Sequence, residues 1–440
     1  MAEAALQRDS LAESLMDLVR ELHPICRSLT GDGVRRTLEI LRRWAPLEVH
    51  EVPSGTRVFD WTVPDEWKIR DAWIGDLAGR RVVDFRRSNL HVVGYSEPVR
   101  RLVSRRELLA HVHSLPDHPD WIPYRTSYYE RSWGFCATQR QVDSLVEPEY
   151  EVCIDARLEP GSLSYGELFL PGTTDEEILV STHVCHPSLC NDNLSGIAVA
   201  ALLAAELHGR PRRRGLRFLW IPGTIGSLTW LARNADRVGR IRGGLTLTCL
   251  GDASPFTYKR SFSGAAEVDR VAAHALRQSG HWHQLVDFAP WGYDERQFES
   301  PGFRLGVGAL SRATHGDFPE YHTSADDLAF VSGERLAESL AVVREILRLL
   351  DRNVKYLNLL PHGEPQLGRR GVYRSIGGDG DPKPVELALL WLLSLSDGDH
   401  DLLDVAERSG LDFDAVAHAA EILEGQGLLE ELPGGKEAQR

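Results

Sequence analysis

The amino-acid sequence predicts an α/β protein in three parts: a mostly parallel sheet flanked by helices, a small inserted β domain and a C-terminal winged-helix-like domain. From Gly166 to about residue 353, strand-like runs alternate with helical patterns, which is typical of an open parallel sheet. Before this region the chain carries short, aromatic-rich β-like runs separated by turns. After it, three short helical patterns with a Gly-containing turn resemble a winged helix-turn-helix.

The elements follow in order along the chain. Residues 10–22 and 33–44 have the apolar spacing of helices, with TGDG as the turn between them. The β-like runs of the inserted domain begin near Val52 and read RVFDWTVP, DAWIGD, RVVDF and LHVVGY. In the alternating region the predicted strands are ELFLPG, EEILVSTHV, LRFLWIPG, GGLTLTCLGD and RLGVGAL, and the predicted helices are IAVAALLAAELHG, SLTWLARNADRV, AEVDRVAAHALRQSG and ERLAESLAVVREILRLLDRN. The predicted domains are therefore an α/β domain over 1–60 and 150–355, the inserted β domain over 61–149, a linker rich in Pro and Gly over 356–383, and the winged-helix-like domain over 384–440.

Composition and charge argue against several classes of function. The net charge of −14 disfavours nucleic acid as the main partner, since phosphate binding needs basic residues. No stretch approaches the ~20 apolar residues that span a membrane, and the acid-bearing N-terminal helix does not resemble a signal peptide. Six cysteines in so long a chain do not form a disulfide framework, so we expect the reducing cytoplasm.

The C-terminal helical patterns are strongly acidic. Their acids face a single Arg408 and are Asp397, Asp399, Asp401, Asp404, Glu407, Asp412, Asp414, Glu421, Glu424, Glu430 and Glu431. This charge disfavours DNA binding despite the winged-helix pattern. We expect instead an interaction module that supports a homo-oligomer or a protein partner.

Two histidines, two cysteines and an aspartate crowd the stretch ILVSTHVCHPSLCNDNLSG, residues 178–196. A structural zinc held by His183, Cys185, His186 and Cys190 would form a closed tetrahedral site, but no second pair of ligands lies nearby, as zinc fingers and ribbons require. Alternatively, the cysteines pack as small hydrophobes and the histidines are satisfied core residues. The third interpretation is a hydrolytic metal site at the carboxyl end of a strand, where α/β sheets bind their ligands.

The hydrolytic interpretation draws ligands from several segments. His183 ends a strand, Asp192 lies in the loop before a helix, Asp252 follows the strand LTLTCLG, and His322 lies in the loop PEYHTSADD. Mixed histidine and carboxylate ligands with an open water position are the hydrolytic arrangement of zinc.

The order H…DN-SG, a strand-end D and then YHTSAD resembles the co-catalytic zinc aminopeptidases and the glutamate-carboxypeptidase-like exopeptidases. The chain is still more similar to a bacterial aminopeptidase-like family found near polysaccharide-biosynthesis functions. The motifs that carry this resemblance are DWTVPDEW, NLHVV, IPYRTSYY, STHVCHPSLCNDNLSG, GYDERQF, FPEYHTSADDL and EPQLGRRG. The resemblance covers nearly the whole chain and implies a zinc-exopeptidase-like α/β domain with the inserted β domain and the winged-helix-like domain.

Carried over by this resemblance, His183 matches the first zinc ligand, Asp192 the bridging carboxylate, Asp252 the third ligand and His322 the last histidine. One departure concerns the Glu pair, base and ligand, that zinc aminopeptidases place after the strand that reads RFLWIPGTIGS here. Gly223 and Thr224 stand at that point, and neither can act as a general base.

Two outcomes of this departure stay open. Another acid substitutes, with Glu295 as the first choice of base, Glu320 as the second and Asp294 as a further candidate, while His186 fills a vacated metal position. Otherwise the site holds one metal or none and the protein binds a ligand without cleaving it.

Residues near these motifs are candidates for substrate binding. In GYDERQF, Arg296 and Tyr293 could hold a substrate, or the loop could be a solvated turn with local ion pairs. Arg125 and Tyr128 in RTSYYERSW could cover the metal site, or these aromatic residues could be core packing.

The expected function is a cytoplasmic, zinc-dependent aminopeptidase-like hydrolase. Its substrate would be a small molecule or short peptide with an amide bond, and an amide on an amino sugar is compatible with the family's neighbourhood. The alternative is a non-catalytic binding or scaffold protein built on a degenerate peptidase site.

Overall fold

An eight-stranded sheet organises the larger part of the chain. The computed structural model describes residues 2–372 and 383–432. The chain forms two units, Met1–Ile346 and Leu347–Arg440. Within the described ranges, no helix is long and apolar enough to cross a membrane.

The helices and strands of the described residues have the following bounds. The helices are α1 Ala2–Leu22, α2 Asp32–Leu41, α3 Arg105–Leu109, α4 Gln139–Asp143, α5 Gly196–Leu207, α6 Ile225–Arg233, α7 Glu267–Ser279, α8 Glu295–Phe298, α9 Gly333–Arg352, α10 Lys383–Leu395, α11 Leu402–Ser409 and α12 Phe413–Gly425. The strands are β1 Glu48–Pro53, β2 Arg57–Val58, β3 Trp61–Thr62, β4 Glu66–Gly75, β5 Arg81–Asp84, β6 Val99–Ser104, β7 Val112–His113, β8 Phe135–Cys136, β9 Glu149–Glu159, β10 Ser162–Leu170, β11 Glu177–His183, β12 Gly215–Ile221, β13 Ile241–Leu247, β14 Phe256–Lys259, β15 His283–Val286, β16 Val307–Ser311, β17 Lys355–Asn358, β18 Asp397–Asp401 and β19 Leu429–Glu431.

The large sheet has the strand order β1-β10-β12-β11-β13-β16-β14-β15. Its centre is parallel, because β11 pairs in parallel with β12 and β13, and β13 pairs in parallel with β16. Antiparallel pairs lie towards the edges, at β1–β10, β10–β12 and β14–β16. The predicted α/β class with a mainly parallel central sheet is confirmed.

Strand β11 lies in the middle of this sheet, and all seven of its residues are buried. Its sequence EILVSTH is rich in β-branched residues, which suit a strand covered on both faces. Helix α5 follows it and is apolar on nearly every side, with every residue from Gly196 to Ala204 buried. Because β11 and α5 are both packed in the core, the position of His183 at the end of β11 is held firmly.

The inserted β region forms its own sheet, with the strand order β5-β4-β9-β6. Strand β9 pairs antiparallel with both β4 and β6. Residues 150–159 therefore belong to this small sheet, although the predicted boundary at 149 assigned them to the α/β domain.

The C-terminal unit combines α10, α11 and α12 with a three-stranded sheet of order β18-β17-β19. Helix α11 begins at an N-cap, where Asp401 accepts a hydrogen bond from Asp404 N at 2.9 Å. Strand β17 pairs with both β18 and β19. The sheet therefore takes in residues 355–358, most of which had been assigned to the predicted linker 356–383. Residues 373–382 of that linker and 433–440 of the predicted domain lie outside the described residues.

Candidate metal centre

The site is built at the carboxyl end of β11. His183 is the last residue of this strand, and the turn Cys190–Ser195 leads from the following loop into α5. Helix α5 can begin here because position 196 is glycine: a Cβ there would lie 2.5 Å from Leu247 O and 2.7 Å from Thr182 Oγ1. The absent side chain lets α5 pack directly on the strands and brings the preceding turn over the strand end.

Asp192 is the centre of a cluster of histidines. Its Oδ1 lies 2.9 Å from His183 Nε2, and its Oδ2 lies 2.9 Å from His322 Nε2 and 3.6 Å from His186 Nε2. His183 and Asp192 are fully buried, whereas the His322 side chain retains 32% exposure and gives the cluster access to solvent. The structure thus brings together His183, His186, Asp192 and His322, which lie up to 139 positions apart (322 − 183) in the sequence.

A second carboxylate and an amide hold the Asp192 backbone in place. Asp326 accepts hydrogen bonds from Asn191 N at 2.6 Å and from Asp192 N at 2.9 Å. The Asn191 side chain donates to Asp252 Oδ2 at 2.8 Å and accepts from Gly251 N at 2.8 Å. Asp252 also accepts from Ser254 N at 2.7 Å. Its carboxylate therefore helps to hold Asn191 and the loop that follows β13. The structure does not bring Asp252 into the ligand cluster, although the sequence predicted it as a ligand.

Two residues that the sequence analysis did not select do reach Asp192. One ligand atom from each of Asp192, Cys249 and His315 lies within 4.8 Å of the other two. Cys249 lies two positions past β13, while Asp252 lies five positions past it. Proximity to the strand end is the sequence signal that points to Cys249, which the sequence analysis does not consider.

Burial and neighbouring charges set the protonation of the cluster. Burial holds the pKa of His186 well below its ordinary value, so its imidazole is neutral at physiological pH. Burial alone would raise the pKa of Asp192, but His186 and the contacts from His183 and His322 hold it well below its usual range. A buried carboxylate that stays ionised beside the neutral His186 imidazole is a favourable arrangement for a divalent cation.

The position of the expected Glu pair is closed by an aromatic ring. A Cβ at Gly223 would lie 2.0 Å from Tyr293 Cε1, so the Tyr293 ring fills the space that a side chain there would need. The Tyr293 hydroxyl donates to Gly223 O at 3.3 Å and lies 3.0 Å from Cys185 Sγ. Burial raises the pKa of Tyr293 well above its ordinary value, so the phenol stays protonated.

The acids considered as substitutes have other partners or lie apart. Glu295 is buried and accepts a hydrogen bond from Lys259 Nζ at 2.6 Å and another from Tyr293 N at 3.0 Å. Glu320 is partly exposed. It is absent from the two groups of convergent ligand atoms found among the described residues, which are His183, His186 and Asp192, and Asp192, Cys249 and His315. Arg296 donates through Nε to Tyr293 O at 3.2 Å and so braces its own loop. The structure therefore does not bring Glu295 or Glu320 to Asp192.

Asp294 is the remaining acid of this loop and is fully buried. Its Oδ1 accepts from Ser227 Oγ at 2.7 Å, while its Oδ2 lacks a hydrogen-bond partner among the described residues. Burial raises the pKa of Asp294 to about 6, against the lowering effects of Ser227 and His183. Asp294 is thus a buried acid whose charge changes just below neutral pH.

A cavity of about 540 Å³ opens onto the cluster. His186 and His322 line it together with Gly223 and Thr224, and the predicted substrate-binding residues Arg125, Tyr128 and Tyr293 lie in its wall. Arg296 is not among the residues that line it. The aromatic residues of the wall are Trp61, Tyr124, Tyr128, Tyr129 and Tyr293.

The inserted region supplies much of this wall and is joined to the His322 loop by hydrogen bonds. Tyr124 N donates to His322 O at 2.7 Å, and Ile122 N donates to Ser324 Oγ at 2.9 Å. His322 itself adopts a positive φ of 55°, which is uncommon for a residue other than glycine. The backbone of the inserted region therefore helps to hold the His322 imidazole at the cavity.

The donor set fits zinc. Zinc binds imidazole nitrogen and carboxylate oxygen at about 2.0–2.2 Å, which places tetrahedral ligand atoms roughly 3.4 Å apart. The contacts of Asp192 with the three histidines, at 2.9, 2.9 and 3.6 Å, bracket that separation. One ligand atom from each of His183, His186 and Asp192 lies within 4.8 Å of the other two, so these three residues can hold a zinc ion. His322 contacts the Asp192 oxygen that His183 does not contact.

Comparison with known proteins assigns most of the chain to one family. Residues 16–353 match the model of a domain of unknown function, DUF4910, and residues 354–431 match a winged helix-turn-helix model. The chain belongs to the DUF4910 family. The second match confirms the predicted winged-helix-like domain of this DUF4910 protein.

Two relatives come from Clostridium acetobutylicum. One is named as a candidate polysaccharide-biosynthesis protein with an aminopeptidase-like domain, and is 49% identical over 409 residues, covering 93% of this chain and 94% of its own. The other is the crystal structure of a candidate peptidase, with a TM-score of 0.90 and 45% identity over 98% of this chain and 99% of its own. A zinc aminopeptidase of Bacillus subtilis shares the fold at 14% identity, with a TM-score of 0.57 over 78% of this chain and 95% of its own. The predicted aminopeptidase-like fold of this DUF4910 protein is confirmed.

Proposed function

We propose that this protein is a zinc-dependent hydrolase of aminopeptidase type that cleaves an amide bond in a small molecule or short peptide. The observation that carries the proposal is the buried Asp192 carboxylate, which is contacted by three imidazoles at the base of a cavity of about 540 Å³. A cavity of this size suits a small ligand. The aminopeptidase-like fold of the family supports the same class of reaction.

His183 and Asp192 would hold the metal, and His322 contacts the second oxygen of Asp192. When bound, zinc polarises a carbonyl and lowers the pKa of a bound water. The Tyr293 phenol lines the cavity in its protonated form and donates to Gly223 O. It could donate to a carbonyl oxygen of the substrate by exchanging that partner. Such a donor is useful where negative charge develops in the transition state.

His186 is the best-placed proton acceptor for the attacking water. It lines the cavity, its Nε2 lies 3.6 Å from Asp192 Oδ2, and burial keeps its imidazole neutral. The lone pair of a neutral imidazole can accept a proton, and the neighbouring carboxylate stabilises the imidazolium that forms. Glu295, in contrast, is held by Lys259. The proposal therefore moves the role of base from Glu295 and Glu320 to His186.

An amide on an amino sugar is the substrate class that we favour. Five aromatic rings line the cavity, and flat rings pack well against the apolar face of a sugar ring. Arg125 is exposed in the same wall and could bind an anionic group of the substrate. The name of the Clostridium acetobutylicum relative, which refers to polysaccharide biosynthesis, agrees with this class.

One observation favours a second candidate, a binding protein without catalytic activity. Among the described residues that line the cavity, none is Asp or Glu, and Tyr293 occupies the space beside Gly223 where a glutamate is expected. The cavity and metal would then serve recognition alone.

The C-terminal unit is proposed as a protein-interaction or dimerisation module, and no nucleic acid is expected to bind it. Several of its acids have partners within the unit: Asp414 accepts from Arg348 at 2.6 Å, and Asp401 accepts from Asn353 at 2.9 Å. Because such acids are already paired, the surface available to a partner is less acidic than the composition implies. A cytoplasmic location is proposed as well, since all six cysteines are unpaired thiols.

The experiment uses the purified full-length protein, its metal content and hydrolysis of a panel of aminoacyl and N-acyl amino-sugar amides. We expect bound zinc and cleavage of at least one amide, with His183→Gln losing both. His186→Gln should keep its metal and lose about 10²- to 10⁴-fold in kcat, as expected for a general base.

A protein that binds zinc but cleaves none of these amides would favour the binding protein. Loss of metal in His186→Gln would instead make His186 a ligand, and hydrolysis would then need another base.

A further inference from the structure

A second group of ligand-type side chains converges on Asp192 beside the histidine cluster. Cys249 and His315 each place a ligand atom within 4.8 Å of one another and of an Asp192 oxygen. They come from different segments, since Cys249 follows β13 and His315 follows β16. These two strands are parallel neighbours in the sheet, so their carboxyl ends meet at the edge where Asp192 lies.

Cys249 combines burial with an unusual backbone conformation. Its side chain is fully buried beside Ala313 and Phe318, and its Sγ lies 3.5 Å from Thr248 Oγ1. Its backbone adopts φ of 50°, in the left-handed region that residues other than glycine rarely enter. Backbone strain of this kind collects at functional sites.

His315 supplies the second, independent observation. Its Nδ1 is buried and has no hydrogen-bond partner among the described residues. Buried polar atoms are almost always paired, and an unpaired one needs an explanation such as an ion. A cation between His315, Cys249 and Asp192 would satisfy this nitrogen.

We propose that Asp192, Cys249 and His315 form a second zinc position, which shares Asp192 with the first position at His183. The inference rests on the proposed function for the first position and adds the ligands of the second. Two metals bridged by one carboxylate lie about 3.5–4 Å apart in hydrolytic sites. The thiolate gives this position its selectivity, because soft ligands favour zinc over magnesium, calcium and manganese.

The test uses the full-length protein, stripped with a chelator and reloaded with cobalt, which reports a thiolate ligand by a charge-transfer band in the near ultraviolet. We expect two cobalt ions per chain and a strong thiolate band. Cys249→Ser should lose the band and one of the two ions. Cys185→Ser is the matched control, because Cys185 is also buried beside the cluster, where its Sγ contacts Tyr293, Gly223 and His186 Nδ1, but it belongs to neither convergent ligand group. This variant should keep both ions.

Two further variants guard against a folding defect, which circular dichroism would detect. Cys249→Asp should keep the second ion without the band, and His315→Gln should lose the second ion without loss of the first. A wild-type protein without a thiolate band, or a Cys249→Ser protein that retains it, would overturn the proposal.

Hydrolysis is scored separately from the cobalt spectrum. Thiolate ligation without hydrolysis would support this second position while contradicting the proposed enzyme. Hydrolysis with a single, sulfur-free metal would support the enzyme and overturn the second position.

Discussion

The loops after β11 and β12 can be compared directly, because the two strands are parallel neighbours and His183 pairs with Ile221 in their register. The loop after β11 carries His183 and Asp192, which meet two further histidines. The loop after β12 carries Gly223 and Thr224, and the Tyr293 ring lies against the glycine. Adjacent loops at one edge of the sheet thus differ in chemistry: one carries a histidine and a carboxylate of the proposed metal site, and Gly223 and Thr224 of the other have no ionisable side chain.

Replacement of Asp192 by Asn should have the largest effect. The variant lacks the charge that both proposed metal positions share, so zinc binding should weaken by more than about 100-fold, beyond the loss typical of residues that only support a ligand. Isothermal titration calorimetry with zinc measures the loss of affinity. Asp252→Asn is the matched control and should lose about 10-fold at most, since Asp252 bonds to Asn191 and not to the cluster. Equal losses in the two variants would restore Asp252 as a ligand.

We expect the Glu295 carboxylate, near the loop that follows β12, to stabilise the fold and to take no part in proton transfer. Glu295→Gln removes the counter-charge of the partly buried Lys259, which keeps the carbonyl acceptors Ala289 O and Trp291 O. We therefore expect a loss in the free energy of unfolding below the ~3–5 kcal/mol of a fully buried pair. Chemical denaturation measures this loss. The double variant Lys259→Met/Glu295→Gln should recover part of it, because no unpaired charge remains. A Glu295→Gln protein of wild-type stability that has lost only hydrolysis would make Glu295 the base after all.

Gly223→Ala tests whether the Tyr293 ring fills the space beside Gly223 in the loop after β12. The added Cβ would meet Tyr293 Cε1 at 2.0 Å, and overpacking of this kind typically costs about 1–3 kcal/mol. In a Tyr293→Ala background the same change should cost much less, and a double-mutant cycle measures the coupling. Gly239→Ala is the control, since a Cβ there meets no atom within 4 Å. Equal losses of stability in Gly223→Ala and Gly239→Ala would contradict the close packing of Tyr293 on Gly223.

The smallest effect is a change in the pH dependence of stability. The pKa of Asp294 is about 6 in the folded protein and about 4 when exposed. The folded state therefore binds more protons between these values, and stability falls as the pH rises from about 4 to about 6, by at most about 1.4 kcal/mol per pH unit. Asp294→Asn should remove this slope from urea unfolding, while the exposed Asp117→Asn should not. An unchanged slope in Asp294→Asn would refute the assignment.

Patterns within short segments predicted the fold well. Alternation of strands and helices predicted the parallel sheet, and the end of the apolar run at His183 located the site. The predicted domain boundaries at residues 149 and 356 differ from the structure for one reason. Strands β9 and β17 pair with strands that are distant in sequence, and such pairing has no local signal.

The prediction of the candidate site was less complete. His183, Asp192 and His322 lie together as the family resemblance implied, but Asp252 does not join them. Cys249 has no motif of its own in the sequence, because a lone cysteine in an apolar run is typical of core packing, and only the strand end at Leu247 shows how close it lies. The role of Tyr293 was not foreseeable, because the filling of the space beside Gly223 depends on a residue 70 positions away (293 − 223).

The hydrogen bonds between residues 122–124 and 322–324 have a consequence for how the site can form and change. Because the inserted region contacts the backbone of the His322 loop, the proposed metal affinity would depend on the docking of that region. A shortened protein without residues 61–159 should retain a helix-flanked sheet but bind zinc poorly. For the same reason, the insertion cannot be exchanged between relatives as an independent module unless the His322 loop is exchanged with it.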